Sequence, residues 1–377
     1  MVVSIVVPSL NEELTIAEFV DWCQEGLSQA GVSGEILIID SSTDRTAEIA
    51  ESKGARVLRV PKRGLGRAYI DAIPHIRGKH VIMGDCDLTY DFRGIKQFVD
   101  ALEAGNEFVM GTRMKGYIED GAMPPLHRYF GTPLTTWILN RIYGTRYSDI
   151  HCGMRAMTLE ALKKIDLHSQ SWEYASEMVL KAGKLRLKTA ELPIRFYKDR
   201  PGRFSHMKRS GWLSPWRAGW INLRIMFLYA PDFFLLKPGL AIFALGLFLT
   251  LLLVRGPVQL GPVALSEHFM LLGVTLASVG YMAVGLGMFA RVYHDFDPQY
   301  TAAVLRKCSY NRGMVVAAVL SATGLIADAW LLVNWLTSSL RLPGFSFPGV
   351  VGLLLLILGF QTFAFTLILH MVGTKSR

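Results

Sequence analysis

The segment VIMGDCDLTYD, residues 81–91, runs a hydrophobic stretch straight into three carboxylates, Asp85, Asp87 and Asp91. Its first half has the character of a buried strand. In extended backbone, residues i and i+2 point to the same side, so Asp85 and Asp87 present their carboxylates together. Like charges that close raise each other's pKa unless a cation sits between them. Hard oxygen donors suit Mg2+ or Mn2+, and Mg2+ is typically held by one or two carboxylates plus substrate phosphates. A strand ending in such a pair delivers a metal–diphosphate site. Acidic pairs are also common in turns, so this one gains its weight from its position at a strand end among other marks.

Around it, residues 1–111 alternate strand and helix patterns. Strands are expected at 2–7, 35–40, 55–60, 79–84 and 107–111, with helices near 15–29, 44–53, 67–77 and 92–104. The opening MVVSIVVPSL lacks a basic start, and Pro8 ends its apolar run, so it reads as the first strand and not as a signal peptide. Short β-rich runs alternating with helices imply right-handed βαβ units and a mainly parallel sheet. Such sheets bind ligands at the carboxyl ends of their strands, where Asp40 and Asp85 stand.

From Pro238 onward the solvent changes. Residues 238–254, 269–290 and 348–369 carry no charge, and 313–327 is apolar and continues past Asp328. A bilayer core takes about 20 apolar residues per helix, so four spans are expected, at about 238–254, 269–290, 313–336 and 348–370. Arg217, Arg224 and Lys237 precede the first span; Arg291, Arg306, Lys307 and Arg312 lie between the second and third; Lys375 and Arg377 follow the last. The other two loops carry only Arg255 and Arg341. The positive-inside rule then places the N-terminal domain, the middle loop and the C-terminus in the cytoplasm. Asp328 either pairs with a neighbouring helix or faces the outer leaflet. Ahead of the first span, Ser214–Pro215 is a helix start, and Trp216, Trp220, Leu223 and Phe227 fall on one face beside Arg217 and Arg224. That pattern suits an amphipathic helix lying in the membrane interface.

The net charge of +9 is concentrated in a belt. Residues 195–224 hold eight Lys/Arg against one acid, Asp199. Such a belt fits a membrane surface or a polyphosphate ligand; no nucleic-acid motif accompanies it. Cys23, Cys86, Cys152 and Cys308 form no CxxC pair, which is consistent with a reducing compartment. Gly64-Leu65-Gly66 lacks the third glycine of a dinucleotide fingerprint, and His151-Cys152 lacks the spacing of a zinc site.

The motifs VSIVVPSLNEE, ILIIDSSTDRTAEIA, PKRGLGRAYIDAI, GDCDLTYDF, FVMGTRMKG, SDIHCGMRAM and EYASEMVLKA follow one another in this order. Together they resemble glycosyltransferase family 2, most closely its polyprenyl-phosphate branch, the dolichol-phosphate mannose synthase-like enzymes. The resemblance covers about residues 1–210. It implies an α/β protein: an A-type glycosyltransferase domain, Rossmann-like with a mainly parallel sheet, followed by a four-helix transmembrane domain. The division expected is 1–210 catalytic, 211–236 interface helix and 237–377 transmembrane.

The resemblance implies site residues too. Pro8, Leu10 and Glu12 match the motif that frames the nucleotide base, with Leu10 where the family often has Tyr. Asp40 matches the acid that contacts base or ribose; the second Asp usual there is Ser41 here. Lys62, Gly64 and Gly66 match the loop beside the nucleotide. Asp85 and Asp87 match the metal motif, Thr89 standing in place of a Gln. Arg113, Arg128 and Thr132 match the positions that hold the acceptor phosphate. Arg200, Arg203, Ser205 and Lys208 match a basic segment that closes over the site near the membrane, and they are counted with the residues implied to bind the acceptor phosphate. Asp149 and Glu177 are candidates for positioning.

The implied activity is inverting transfer of a hexose from a nucleotide-diphosphate sugar, UDP-glucose or GDP-mannose, to polyprenyl or dolichyl phosphate. It needs Mg2+ or Mn2+, with Asp87, Arg113 and Arg128 at its centre. It would run at the cytoplasmic face of a membrane, the plasma membrane of a prokaryote, in contact with membrane lipid. A homo-oligomer stays open. The alternatives are a processive polysaccharide synthase, whose QxxRW motif is missing, and a lipid-sugar flippase or scaffold built on a lapsed transferase domain.

Overall fold

Runs of Val, Ile and Leu form the strands expected of them. Residues 1–203 hold seven strands: β1 (Val3–Ser9), β2 (Gly34–Asp40), β3 (Arg56–Arg59), β4 (His80–Met83), β5 (Phe108–Ile118), β6 (Arg155–Thr158) and β7 (Thr189–Phe196). They make one sheet in the order β3-β2-β1-β4-β6-β5-β7. This is a computed structural model, and it describes residues 1–203, 220, 224, 227–294, 298–337 and 345–373. By internal contacts the chain divides into two units, Met1–Tyr229 and Ala230–Arg377.

In the first unit, β1 pairs in parallel with both β2 and β4, β2 with β3, and β5 with β7. Strand β6 runs antiparallel to both β4 and β5, so the sheet is mixed. The chain passes from β1 outward through β2 and β3, then returns to place β4 on the other side of β1. The order therefore reverses between β1 and β4, and the crevice at their carboxyl ends is where an open α/β sheet takes its ligand. The strands are apolar on both faces: Val3, Ile5, Val6, Ile38, Ile39, Val81, Ile82, Phe108 and Val109 are closed to solvent. That is the signature of a sheet covered on both sides.

The covering helices are α1 (Ile16–Ala30), α2 (Thr46–Ser52), α3 (Leu65–Ala72), α4 (Lys96–Glu103), α5 (Thr132–Tyr143), α6 (Leu159–Ile165) and α7 (Tyr174–Lys184). Their ends follow local chemistry. Gly31 and Gly144 end α1 and α5 in the left-handed conformation, with φ of 66° and 67°. The Thr158 hydroxyl caps α6 by accepting from the Ala161 amide.

Four helices of the second unit are long and apolar enough to cross a membrane: Asp232–Leu253, Glu267–His294, Tyr310–Thr337 and Phe347–Gly373. They correspond to the four expected spans. Small residues let them close up. A Cβ on Gly246 would overlap the Ala277 backbone, and one on Gly359 would overlap Ser321. Asp328 lies against Gly352 of the last helix, and both its oxygens are closed off without a hydrogen-bond partner among the described residues. The expected interface helix falls mostly outside the described residues, as do Trp216 and Arg217.

Candidate active site

Four chain segments converge on the crevice. The β1 exit brings Glu12, β2 ends on Asp40, the β4 exit brings Asp85 and Asp87, and the segment after β7 brings Arg203. The turn after β4 is tightly specified. The Thr89 amide donates to Asp87 Oδ1 at 3.0 Å and the Thr89 hydroxyl reaches the same oxygen. Between them, buried Leu88 takes a φ of 63°, a strained setting for a bulky side chain. Thr89 is thus spent on orienting Asp87 rather than standing as a separate ligand.

The Asp85 carboxylate makes no hydrogen bond or ion pair among the described residues. Burial, and then the charge of Asp87, push it up to about 7. Burial also raises Asp87, against the pull of Arg203 and Thr89. Gly153 makes room beside the pair, because a Cβ there would stand 2.9 Å from Asp85 Oδ2. The Gly153 amide donates to the Tyr90 hydroxyl at 2.8 Å, which fixes the 148–154 loop against the acidic turn.

Arg203 lies among three carboxylates. Its Nε and Nη2 donate to Glu12 at 2.8 and 2.6 Å, and its Nη1 donates to Asp199 at 2.6 Å. The same Nη1 is 3.3 Å from Asp87 Oδ2. Arg203 was expected beside the acceptor phosphate; the structure places it against the metal motif and the base-framing Glu12. Arg200 pairs with Glu18 on α1. Ser205 and Lys208 lie outside the described residues.

Asp40 is buried at the end of β2. Its Oδ1 accepts from the Ser9 and Ser42 hydroxyls and its Oδ2 from the Ser42 amide at 3.2 Å. Pro8 pairs in register with Ile39, and its carbonyl faces the Cys86 thiol. Leu10 is half-buried, and Lys62 is exposed beside the glycine loop. Those glycines have a packing reason. A Cβ on Gly64, where φ is 118°, would overlap the Gln170 carbonyl, and one on Gly66 would overlap that of Ser169. The 169–171 loop is in turn held by Glu177, which accepts from the His168 and Ser169 amides and pairs with Lys181 at 2.6 Å. Glu177 therefore acts on the Gly64–Gly66 loop at second hand.

Arg113 and Arg128 differ in what they have left to offer. Arg113 puts Nε and Nη2 on Asp149, at 2.7 and 2.9 Å. Only Nη1 is without a partner among the described residues, so the two-pronged phosphate grip expected of Arg113 is taken up by Asp149. Arg128 makes no ion pair among the described residues; its guanidinium lies 5.5 Å from the Tyr129 ring centre. Arg128 belongs to a π-type turn, His127–Gly131, that runs into α5, where Thr132 begins the helix. His151 bonds Thr135 on α5 at 2.8 Å, and burial brings its imidazole down to about 4, so it is neutral at physiological pH. Leu126, Tyr129 and Phe130 around the turn and Trp137 on α5 are exposed, Tyr129 at 72% and Trp137 at 64%.

Sequence reasoning passed over Arg155. It is completely buried on β6, and its guanidinium donates to the Cys152 and Ala175 carbonyls instead of to a carboxylate. Its charge is thereby fixed behind Asp85, which it helps to keep ionised. The signal was the MRAM run, where an Arg stands at an inward strand position.

Comparison with known proteins agrees with this architecture. Residues 4–166 match the model of glycosyl transferase family 2, and residues 288–373 match the glycosyltransferase family 2 C-terminal transmembrane region. The chain is 34% identical over 364 residues to the low-salt glycan biosynthesis hexosyltransferase Agl6 of Haloferax volcanii, covering 95% of this chain and 86% of that protein. It is 29% identical to a dolichyl-phosphate hexose transferase of the same organism, over 53% of this chain and 84% of that one. It is 27% identical to the undecaprenyl-phosphate 4-deoxy-4-formamido-L-arabinose transferase of Edwardsiella ictaluri, over 78% of this chain and 90% of that one. With the strand-end carboxylates, the switch-point crevice and the apolar helices in place, the chain belongs to glycosyltransferase family 2, as a member that carries the family's C-terminal transmembrane region.

Proposed function

We propose that this enzyme transfers a hexose from a nucleotide-diphosphate sugar to a polyprenyl phosphate at the cytoplasmic face of a membrane, with inversion at the anomeric carbon. The observation that carries the reading is the Asp85–Asp87 pair at the β1/β4 switch point, in a chain with four helices able to span a bilayer. The relatives' lipid-phosphate acceptors support it. The arginines of the loop between the second and third spans support the cytoplasmic orientation. The exposed aromatic residues beside Arg128 suit the height of lipid headgroups, where Tyr and Trp concentrate.

The donor set fits a hard divalent cation. Two carboxylates stand two positions apart in the turn after β4, and burial, then the charge of Asp87, drives Asp85 up to about 7. No group of three or more His, Cys, Asp or Glu side chains arranged for a metal occurs among the described residues. Mg2+ or Mn2+ accepts such a half-shell, with diphosphate oxygens and water completing it. When bound, the cation neutralises the charge that builds on the leaving nucleotide diphosphate.

The protein's own residues do the rest. Asp85 and Asp87 would hold the cation, and Thr89 fixes Asp87. Glu12 and Asp40 border the nucleotide, with the Gly64–Gly66 loop beside it. Arg128 and Thr132 take the acceptor phosphate and aim it; Arg113, oriented by Asp149, adds one N–H. A phosphate oxygen then bonds to the anomeric carbon from the face opposite the leaving group, as the bond to the nucleotide diphosphate breaks. The product is a β-linked lipid-phosphate sugar. A phosphate is already anionic at pH 7, so no strong general base is needed. The test is turnover of UDP- and GDP-hexoses by the full chain with a short polyprenyl phosphate. Failure to form a lipid-linked sugar with any donor sinks the reading.

A further inference from the structure

Arg203 links two sides of the crevice through contacts of unequal strength. Its three bonds to Glu12 and Asp199, at 2.6–2.8 Å, are ordinary charge-assisted hydrogen bonds. Its approach to Asp87 Oδ2, at 3.3 Å, is longer and has no hydrogen-bond geometry of its own. Asp87 is otherwise held through Oδ1, by Thr89 alone. Asp85 beside it has no bonded partner among the described residues. Arg203 is thus firmly anchored on Glu12 and loosely placed on the metal motif. A divalent cation on Asp85 and Asp87 claims the same negative charge that Arg203 now neutralises, and the two cations repel.

We propose that Arg203 is the resident counter-ion of the donor site: it neutralises Asp87 while the donor is absent, and yields that carboxylate to the divalent cation. It keeps its fork on Glu12 and one Nη1 N–H on Asp199, and the other Nη1 N–H turns from Asp87 to the leaving diphosphate. This rests on the donor-site reading above, and it moves Arg203 from the acceptor side to the donor side. Arg203 and the metal are then antagonists without nucleotide and partners with it. The metal binds weakly alone and tightly with a nucleoside diphosphate, because only the diphosphate gives Arg203 a new anion.

The experiment measures Mn2+ binding to the full chain by electron paramagnetic resonance, without nucleotide and then with UDP or GDP. Without nucleotide, Arg203→Gln should bind Mn2+ about tenfold more tightly than wild type, the lower end expected for loss of one charged contact. Arg203→Lys should lie near wild type, since it keeps the charge. Lys198→Gln, which removes an exposed charge five positions away with no ion pair among the described residues, should change nothing. With UDP or GDP the order should invert, wild type binding the metal–nucleotide more tightly than Arg203→Gln. Unchanged or weaker Mn2+ binding by Arg203→Gln without nucleotide overturns the proposal. So does an equal gain in Lys198→Gln, which would reduce the effect to bulk charge. If wild type and all variants ignore millimolar Mn2+ with or without nucleotide, the metal reading of the site fails as well. Thermal unfolding of each variant checks that it is folded, and Arg203→Met, which also removes the charge, carries the comparison if the glutamine form is not.

Discussion

The Arg113 guanidinium and the Asp149 carboxylate meet in a two-pronged ion pair, at 2.7 and 2.9 Å, with Asp149 wholly closed to solvent. The Asp149 carboxylate accepts from the Arg113 backbone amide as well. Burial alone would raise its pKa, but the charge and hydrogen bonds of Arg113 hold it below the ordinary value. A lowered carboxylate pKa stabilises the fold above the unfolded value of about 4 and loses that contribution as pH falls through the folded value.

The pair should be costly to break singly. Asp149→Ala leaves a buried guanidinium unpaired and is expected to destabilise the catalytic unit by about 3–5 kcal/mol. Replacing both residues together, as Arg113→Met with Asp149→Leu, should recover much of that stability while leaving transfer impaired. Denaturant unfolding of the singles and the double measures the cycle. Additive losses would show that the two side chains are not energetically coupled.

The acidic pair predicts a pH effect with a definite sign. Asp85 is raised to about 7, so the folded state binds its proton more tightly than the unfolded chain does. In chelator, stability from this group is present below pH about 4 and is lost as pH rises through about 7. The charged groups that face Asp85 are Asp87, Glu12, Arg203 and Arg155. Asp85→Asn should flatten this slope in the melting temperature between pH 5 and 8. In wild type, Mn2+ affinity should climb through the same window, because metal and proton compete for one carboxylate. A slope unaltered in Asp85→Asn would assign it to another group.

Asp87→Asn should abolish transfer while the protein stays folded, since an amide neutralises a cation poorly. Chelation of wild type should do the same, and added Mn2+ or Mg2+ should restore it. Full activity of the mutant in metal-free buffer would remove the metal from the mechanism.

The glycine loop tests a packing claim. Gly64→Ala must carry a side chain at a φ of 118° and push the Gln170 carbonyl away. Overpacking of this kind costs about 1–3 kcal/mol, and the strain falls on the 169–171 loop that Glu177 braces. Donor KM should rise more than acceptor KM. Equal effects on both would separate the loop from the nucleotide.

What could be read from the sequence was local. The i, i+2 carboxylates, the strand that delivers them and the four apolar helices each declare themselves within about twenty residues. Strand β6 did not, because RAMT is four residues long and its direction is set by the return from the 119–154 excursion. Strand β7 was hidden by Pro193, which is tolerated because β7 is an edge strand. The pairs that shape the site were beyond reach. Glu12 and Arg203 stand 191 positions apart, and Arg113 and Asp149 stand 36 apart. A motif can mark Arg113 and Arg203 as candidates, but only the fold reveals that their forks are already engaged.

Arg128, proposed to hold the acceptor phosphate, makes no ion pair among the described residues, and so its whole fork is available for a phosphate. Charge-assisted bonds of that kind are worth about 1.5–3 kcal/mol, roughly 10–150-fold in an equilibrium constant. Arg128→Ala should raise the apparent requirement for polyprenyl phosphate by a factor in that range. Nucleotide-sugar binding measured without acceptor should barely change, because the acidic pair and the Asp40 region carry it. Arg128→Lys should rescue only in part, since lysine offers a point charge without the planar fork. Arg113→Lys should do more harm to stability than to acceptor affinity, because its fork serves Asp149. If Arg128→Ala weakened nucleotide-sugar binding and left the acceptor requirement alone, Arg128 would belong to the donor site and the proposed acceptor role would fall.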